Sequence, residues 1–178
     1  MADETPLAKR IYDTAHITGE FTLRSGAKSN EYFDKYLFEA DPDLLKHIAM
    51  AMVKLVPPGV EALAGLEMGG IPIATMLSQL TGLPALYVRK KAKEYGTCKI
   101  AEGGGVKGRK LLIVEDVVTS GGAILDAAKA LRAEGAVLGH VVCVIDRESG
   151  GPANLAKADL ILSPLFTMTE LKKAGTAA

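Results

Sequence analysis

The sequence contains no tryptophan, only two cysteines and no excess of charge of either sign, with 21 basic residues against 21 acidic ones. Without net charge there is no global field to draw in nucleic acid or an anionic membrane, so charge can act only locally. Cys98 and Cys143 are too few and too far apart for a zinc site or a disulfide framework, which points to a reducing compartment. A secretory leader is also lacking, because Asp3, Glu4, Lys9, Arg10 and Asp13 precede any long apolar stretch, and a cytoplasmic location is expected. The one long uncharged run, residues 68–88, is broken by Gly69, Gly70, Pro72, Gly82 and Pro84 and reads as loop, helix, loop and strand, not as a membrane span.

What is present is ordinary globular material: 178 residues, 48% hydrophobic and 24% charged, enough for one domain with a sizeable core. A short helix is predicted over residues 5–16, and residues 21–38 read as an irregular stretch with strand-like pieces around a Ser25-Gly26 turn. Leu44, Leu45, Ile48, Met52 and Val53 recur at helical spacing until Pro57-Pro58-Gly59. Beyond that point the pattern alternates: strand 60–65, helix 71–80, strand 85–88, strand 110–114, helix 122–134, strand 137–145. Alternation of this kind predicts an α/β fold with a central parallel sheet flanked by helices. The nearly unbroken apolar runs at 111–114 and 141–145 suit strands covered on both faces. Ligands of such sheets bind beyond the carboxyl ends of the strands, so the loops after Gly65, Val88, Val114 and Ile145 are where chemistry is expected.

Residues 111–123 read LLIVEDVVTSGGA: a buried strand, two adjacent carboxylates, then a turn that opens a helix. Thr119, Ser120, Gly121 and Gly122 are small enough for backbone N–H groups to approach a phosphate, and the helix N-terminus adds positive potential. Gly-Gly-Ala stands where a nucleoside-triphosphatase loop needs Gly-Lys-Ser/Thr, so that class is excluded. Glu115 and Asp116 could accept vicinal hydroxyls, and a ribose 5-phosphate offers hydroxyls and phosphate together. The plain alternative is a strand end and an ordinary helix start. The second feature is a basic segment. Between Arg89 and Lys110 there are eight basic residues and only two acidic ones, a net +6 in a neutral chain, interspersed with five glycines. It is either a solvated charged loop or a flap that closes over an anion such as pyrophosphate.

Residues 111–123 resemble the phosphoribosyl-pyrophosphate signature of the type I phosphoribosyltransferases. The segment from Tyr87 to Gly96, YVRKKAKEYG, looks like the catalytic loop of the orotate phosphoribosyltransferases in that family, with Arg89, Lys90 and Lys93 matching and Tyr95 in the usual histidine position. Residues 19–34, GEFTLRSGAKSNEYFD, resemble the family's N-terminal motif, with Arg24 where lysine is common. Residues 65–74, GLEMGGIPIA, are similar to its pyrophosphate loop, and Asp146-Arg147 followed by Gly150-Gly151 to its base-recognition turn.

The resemblance implies a type I phosphoribosyltransferase fold over the whole chain, with a hood formed mainly by residues 1–40 plus C-terminal elements. It implies transfer of ribose 5-phosphate from 5-phosphoribosyl 1-pyrophosphate to orotate, in de novo synthesis of UMP. Lys93, Arg89 and Lys90 are the implied catalytic residues. Arg24, Tyr95, Glu115, Asp116, Val117, Val118, Thr119, Ser120, Gly121, Gly122 and Ala123 join them in binding the sugar substrate, with Glu67, Met68, Gly69 and Gly70 as the pyrophosphate loop. Thr119, Arg147, Tyr32 and Phe33 are the implied orotate contacts. Mg²⁺ is implied as cofactor, held through substrate and water without direct protein ligands. A homodimer is implied, with the 89–108 loop reaching the neighbouring site. Two rivals share the sugar-phosphate signature: a purine phosphoribosyltransferase, which lacks the basic loop and the Asp-Arg turn, and a non-catalytic nucleotide-binding regulator, which does not need the loop.

Overall fold

Helix α1 (Leu7–Ala15) ends where β1 (His16–Thr22) begins, and β1 pairs antiparallel with β2 (Lys28–Phe33). The computed structural model describes residues 5–22, 26, 28–91 and 99–176. The stretch expected to be irregular is therefore a two-stranded hairpin of its own, with a bulge between Thr18 and Phe21. Short helix α2 (Lys35–Ala40) follows, its first turn capped by the Asp34 side chain, and α3 (Pro42–Met52) is capped in turn by Asp41, with Pro42 at the helix start where no N–H is required.

The remaining elements build one six-stranded sheet: β3 (Ala62–Leu66), α4 (Gly70–Thr81), β4 (Ala85–Val88), β5 (Ala101–Glu102), β6 (Lys110–Val118), α5 (Gly122–Ala133), β7 (Val137–Asp146), α6 (Gly151–Ala156), β8 (Ile161–Thr167) and α7 (Met168–Thr176). The strand order is β5-β4-β3-β6-β7-β8, parallel throughout except for the short edge strand β5, which runs antiparallel to β4. The period-2 alternation of strand side chains sorts the core into two layers. Leu111 and Ile113 of β6, with Val141 and Cys143 of β7, pack on one face with Ile124, Ala127, Ala128 and Leu131 of α5. Leu112 and Val114, with Val142 and Val144, pack on the other face with Ile48 and Met52 of α3, Ile73 and Leu77 of α4, Ile11 of α1 and Leu171 of α7. Each fully buried aliphatic chain of this set contributes about 1.5–3 kcal/mol.

Two differences from the sequence reading have clear causes. Strand β6 was expected to stop at Val114, ahead of the carboxylates, but it continues to Val118 because β7 goes on pairing with it as far as Val118↔Asp146. The C-terminal β8 and α7 have no counterpart in the sequence reading. Pro164 lies inside β8, and it is tolerated because β8 is an edge strand hydrogen-bonded only to β7.

Helix α4 lies close on β3. A Cβ placed on Gly65 would stand 2.7 Å from the Gly70 carbonyl oxygen and 2.8 Å from the Ala74 Cβ. Gly65→Ala is therefore expected to cost about 1–3 kcal/mol in urea unfolding. A loss below about 0.5 kcal/mol would show that the strand–helix contact has slack.

Candidate active site

Strand β6 has different neighbours along its length, and this places the acid pair. On one side β3 leaves after Gly65↔Val114; on the other, β7 pairs on to its end. Glu115 and Asp116 thus stand at the mouth of the crevice left by β3, held from behind by β7. Both are buried, Asp116 completely. The Asp116 amide donates to Glu115 Oε1 at 3.1 Å, and the Val117 amide donates to Asp116 Oδ1. Asp116 Oδ2 lies 2.5 Å from the Lys35 ammonium at the start of α2.

Three carboxyls meet here, because Glu39, one turn beyond Lys35, also reaches Asp116. Burial, then the neighbouring Asp116 charge, pushes Glu115 well above the usual carboxyl range. Burial and Asp116 together push Glu39 up to about 8. Burial opposes the charge on Asp116 as well, yet hydrogen bonds from Glu115 and Lys35 outweigh it and hold Asp116 below its usual value. The cluster thus favours the charge on Asp116, with the Lys35 ammonium beside it, over charge on Glu115 or Glu39. Lys35 and Glu39 escaped the sequence reading; the signal available was a Lys–Glu pair four residues apart behind the Asp34 cap.

Gly69 completes the wall. Any Cβ there would overlap the Asp116 carboxylate and crowd Glu39, so the turn between β3 and α4 meets the acid pair with bare backbone. The peptide bond between Glu67 and Met68 is cis, and Met68 is exposed. Glu67 Oε1 accepts the Lys90 amide at 2.6 Å, joining this turn to the root of the basic segment.

The phosphate-cradle residues follow β6 directly. Thr119, Ser120, Gly122 and Ala123 are exposed, and Gly121 takes φ 82°, the left-handed conformation that lets the chain turn into α5. Thr119, Gly121, Gly122 and Ala123, with Glu115, Val117 and Val118, line a hollow of about 50 Å³. It adjoins a second hollow of about 290 Å³, which shares Glu115 and Ala123 and extends to Glu67, Arg89, Lys90, Lys91 and Asp126. Helix α6 backs the turn: Asn154 Nδ2 donates to the Ser120 carbonyl at 3.1 Å, and Gly151 leaves room for the Thr119 carbonyl.

The basic segment leaves and rejoins the sheet on adjacent strands, β4 and β5, and the Arg89 amide donates to the Ile100 carbonyl at 2.8 Å. The Arg89 guanidinium is 3.5 Å from Glu102. Lys90 is exposed at the second hollow. Arg24, Lys93 and Tyr95 lie outside the described residues.

The Arg147 amide donates to the Val118 carbonyl at 2.8 Å, which sets Arg147 beside Thr119. Among the described residues no carboxylate pairs with its guanidinium. Its neighbours are otherwise engaged: Asp146 accepts the Glu148 amide, and the Glu148 carboxylate accepts from the amide and hydroxyl of Thr169. Tyr32 and Phe33 point to opposite faces of β2. Phe33 packs on the core, while Tyr32 is exposed and tilted against Phe21 with ring centroids 5.5 Å apart.

The profile of the phosphoribosyl transferase domain matches residues 39–167. The orotate phosphoribosyltransferase of a Nocardioides species is 56% identical over 177 residues, 99% of each chain. The crystal structure of orotate phosphoribosyltransferase from Aeropyrum pernix superposes with a TM-score of 0.83 at 30% identity, covering 97% of this chain and 100% of that one. The Mycobacterium tuberculosis orotate phosphoribosyltransferase in complex with 5-phospho-α-D-ribosyl 1-diphosphate gives a TM-score of 0.80 at 25% identity, over 93% of this chain and 96% of the other.

The raised Glu39 carboxyl makes stability depend on pH. The folded chain keeps a proton on Glu39 that the unfolded chain releases near the ordinary carboxyl value, so this contribution is complete in acid and is lost as pH rises through about 8. Glu39→Gln, which cannot ionise, is expected to lose less Tm than the unmodified protein between about pH 6 and about pH 9. Equal losses in the two proteins would mean that Glu39 is ionised throughout.

Proposed function

The chain belongs to the phosphoribosyltransferase family, among the orotate phosphoribosyltransferases, and on that premise we propose how its own residues transfer ribose 5-phosphate from 5-phosphoribosyl 1-diphosphate to orotate. The products are orotidine 5′-monophosphate and pyrophosphate, on the route to UMP. The observation that carries the reading is the continuity of three features at the ends of β6 and β7: a buried acid pair, a glycine turn opening α5, and beside that turn an arginine that no carboxylate pairs with among the described residues.

The 5-phosphate rests in the 119–123 turn, where backbone N–H groups and the positive end of α5 favour an anion. Asp116, the ionised member of the pair, accepts the ribose hydroxyls. Arg147 holds the carboxylated base with its planar fork, and Tyr32 offers a ring face to it. The pyrimidine nitrogen attacks ribose C1 as pyrophosphate leaves, with inversion through an oxocarbenium-like transition state. Arg89, Lys90 and Lys93, with Arg24 and Tyr95, meet the charge that develops on the diphosphate.

Magnesium suits this site as a passenger of the substrate. It prefers water and phosphate oxygen in a near-octahedral shell. The carboxylates at the crevice are already engaged, Asp116 by Lys35 and the Val117 amide and Glu115 by the Asp116 amide. When bound, the ion would neutralise diphosphate charge. The reading further assigns the chain to a cytoplasmic homodimer, the 89–108 loop of one subunit serving the site of the other and the hood of residues 1–40 covering it. Among the described residues no helix is long and apolar enough to cross a membrane.

Pyrophosphate release from 5-phosphoribosyl 1-diphosphate, followed with orotate, uracil, adenine, guanine and xanthine in turn, is expected only with orotate; turnover with a purine alone would overturn the assignment. Chelation should abolish the activity and Mg²⁺ restore it. Lys93→Ala is expected to lower kcat about a hundredfold or more with the fold intact. Arg147→Ala should raise the KM for orotate about tenfold or more while that for the sugar substrate stays put. Mixing Lys93→Ala with a second variant inactivated at Arg147 should recover activity if sites are shared between subunits, and should recover none if each chain serves itself.

A further inference from the structure

Helix α2 lies beyond the motifs that define the sugar-phosphate site, yet two of its side chains converge on that site's acid pair. Lys35 stands 2.5 Å from Asp116 Oδ2, and its side chain is only one-third exposed. Among the described residues neither Glu39 Oε1 nor Asp116 Oδ2, both buried, has a hydrogen-bond donor, and Lys35 meets Oδ2 as an ion pair. Asp116 is thereby grasped from the protein side at both oxygens, Oδ1 by the Val117 amide and Oδ2 by the Lys35 ammonium. Each carboxylate oxygen accepts more than one hydrogen bond, so both retain capacity for a sugar hydroxyl.

We propose that Lys35 is a positioning residue of the transferase site, the internal counter-charge that fixes the Asp116 carboxylate for the ribose hydroxyls of the diphosphate substrate. The proposal rests on the functional reading above and adds to it a residue that touches neither base nor diphosphate. The physical need is plain. A carboxylate with no solvent exposure, flanked by two further carboxyls and closed off by the bare backbone of Gly69, has no water to stabilise its charge. Without a cation, Asp116 would take up a proton or turn away, and either change removes the acceptor that the sugar requires. The groups facing Asp116 are Lys35 and Glu39 from α2 and Glu115 on its own strand, with Asp34 and Tyr36 near the α2 pair and the Cys143 thiol on β7 beside the strand. Lys35 is the only cation among them.

The test is steady-state kinetics on the full chain with Lys35→Met, which keeps the aliphatic stem, and Lys35→Arg, which keeps the charge. For Lys35→Met the KM for 5-phosphoribosyl 1-diphosphate should rise about tenfold or more, with the KM for orotate unchanged. The acid limb of its kcat/KM profile should move about one pH unit upward, because Asp116 then holds its proton longer. Lys35→Arg should recover most of the loss, and Lys35→Met placed on an Asp116→Asn background should add nothing further to the KM. A folded Lys35→Met variant with unaltered KM and an unmoved acid limb would overturn the proposal, as would additive effects of the two substitutions. If Lys35→Met fails to fold, the double variant, which no longer buries a charge, should fold and bind the sugar substrate as Asp116→Asn does; tighter or weaker binding by more than about threefold counts against the coupling. If the unmodified protein turns over orotate and Lys35→Met behaves like it, only this inference falls. If the unmodified protein does not use orotate, the wider reading falls, and calorimetric binding of the sugar diphosphate still decides the role of Lys35.

Discussion

A fully buried aspartate at the end of the central strand sets the conditions for everything around it. Asp116 keeps its charge in a place that water does not reach, which is costly unless every lone pair on the protein side has a donor. The Val117 amide donates to one oxygen and the Lys35 ammonium ion-pairs with the other, while burial and the Asp116 charge push the carboxyls of Glu115 and Glu39 upward. The helix that carries Lys35 and Glu39 must therefore lie against the end of the sheet, and the turn after β3 must be glycine where it passes Asp116. The neighbouring Glu115 lines both hollows of the crevice.

The sheet order makes that crevice. Because β3 stops pairing with β6 at Val114 while β7 continues to Val118, the last four residues of β6 have a strand partner on one side only, and the turn from β3 to α4 packs against the acid pair on the other. The phosphate turn follows immediately, and the next strand's end brings Arg147 beside Thr119 through a single backbone hydrogen bond. The basic segment is rooted on the far side of the same opening, on β4 and β5, and is tied to the diphosphate turn by the bond from the Lys90 amide to Glu67. Four loops from five adjacent strands of one sheet are thus gathered around this opening. The relatives and solved structures that resemble the chain across nearly its full length share this α/β scaffold.

Much of this was legible because local patterns carry it. The stripe Ile124, Ala127, Ala128 and Leu131 appears on one buried face of α5, and the apolar runs at 111–114 and 141–145 are the two central strands, each feeding both core layers. The motif at 115–123 is a contiguous string whose chemistry follows from residue type. Other parts were hidden for physical reasons. Strands β1 and β2 have little burial, so they lack the hydrophobic alternation that announces a strand. Strand β8 contains a proline that only an edge position permits, and whether a strand is an edge is a property of the assembled sheet.

The sequence by itself determined the fold class and the family, because both depend on motifs and periodicities of residues adjacent or regularly spaced along the chain. Only the tertiary structure decided which three carboxyls meet and which lysine answers Asp116. Lys35 and Asp116 are far apart in sequence, and the charge on either depends on how much water the packed chain leaves around them. It also separated Phe33, turned into the core, from Tyr32, left facing solvent, a distinction that appears only once the hairpin has a face to bury.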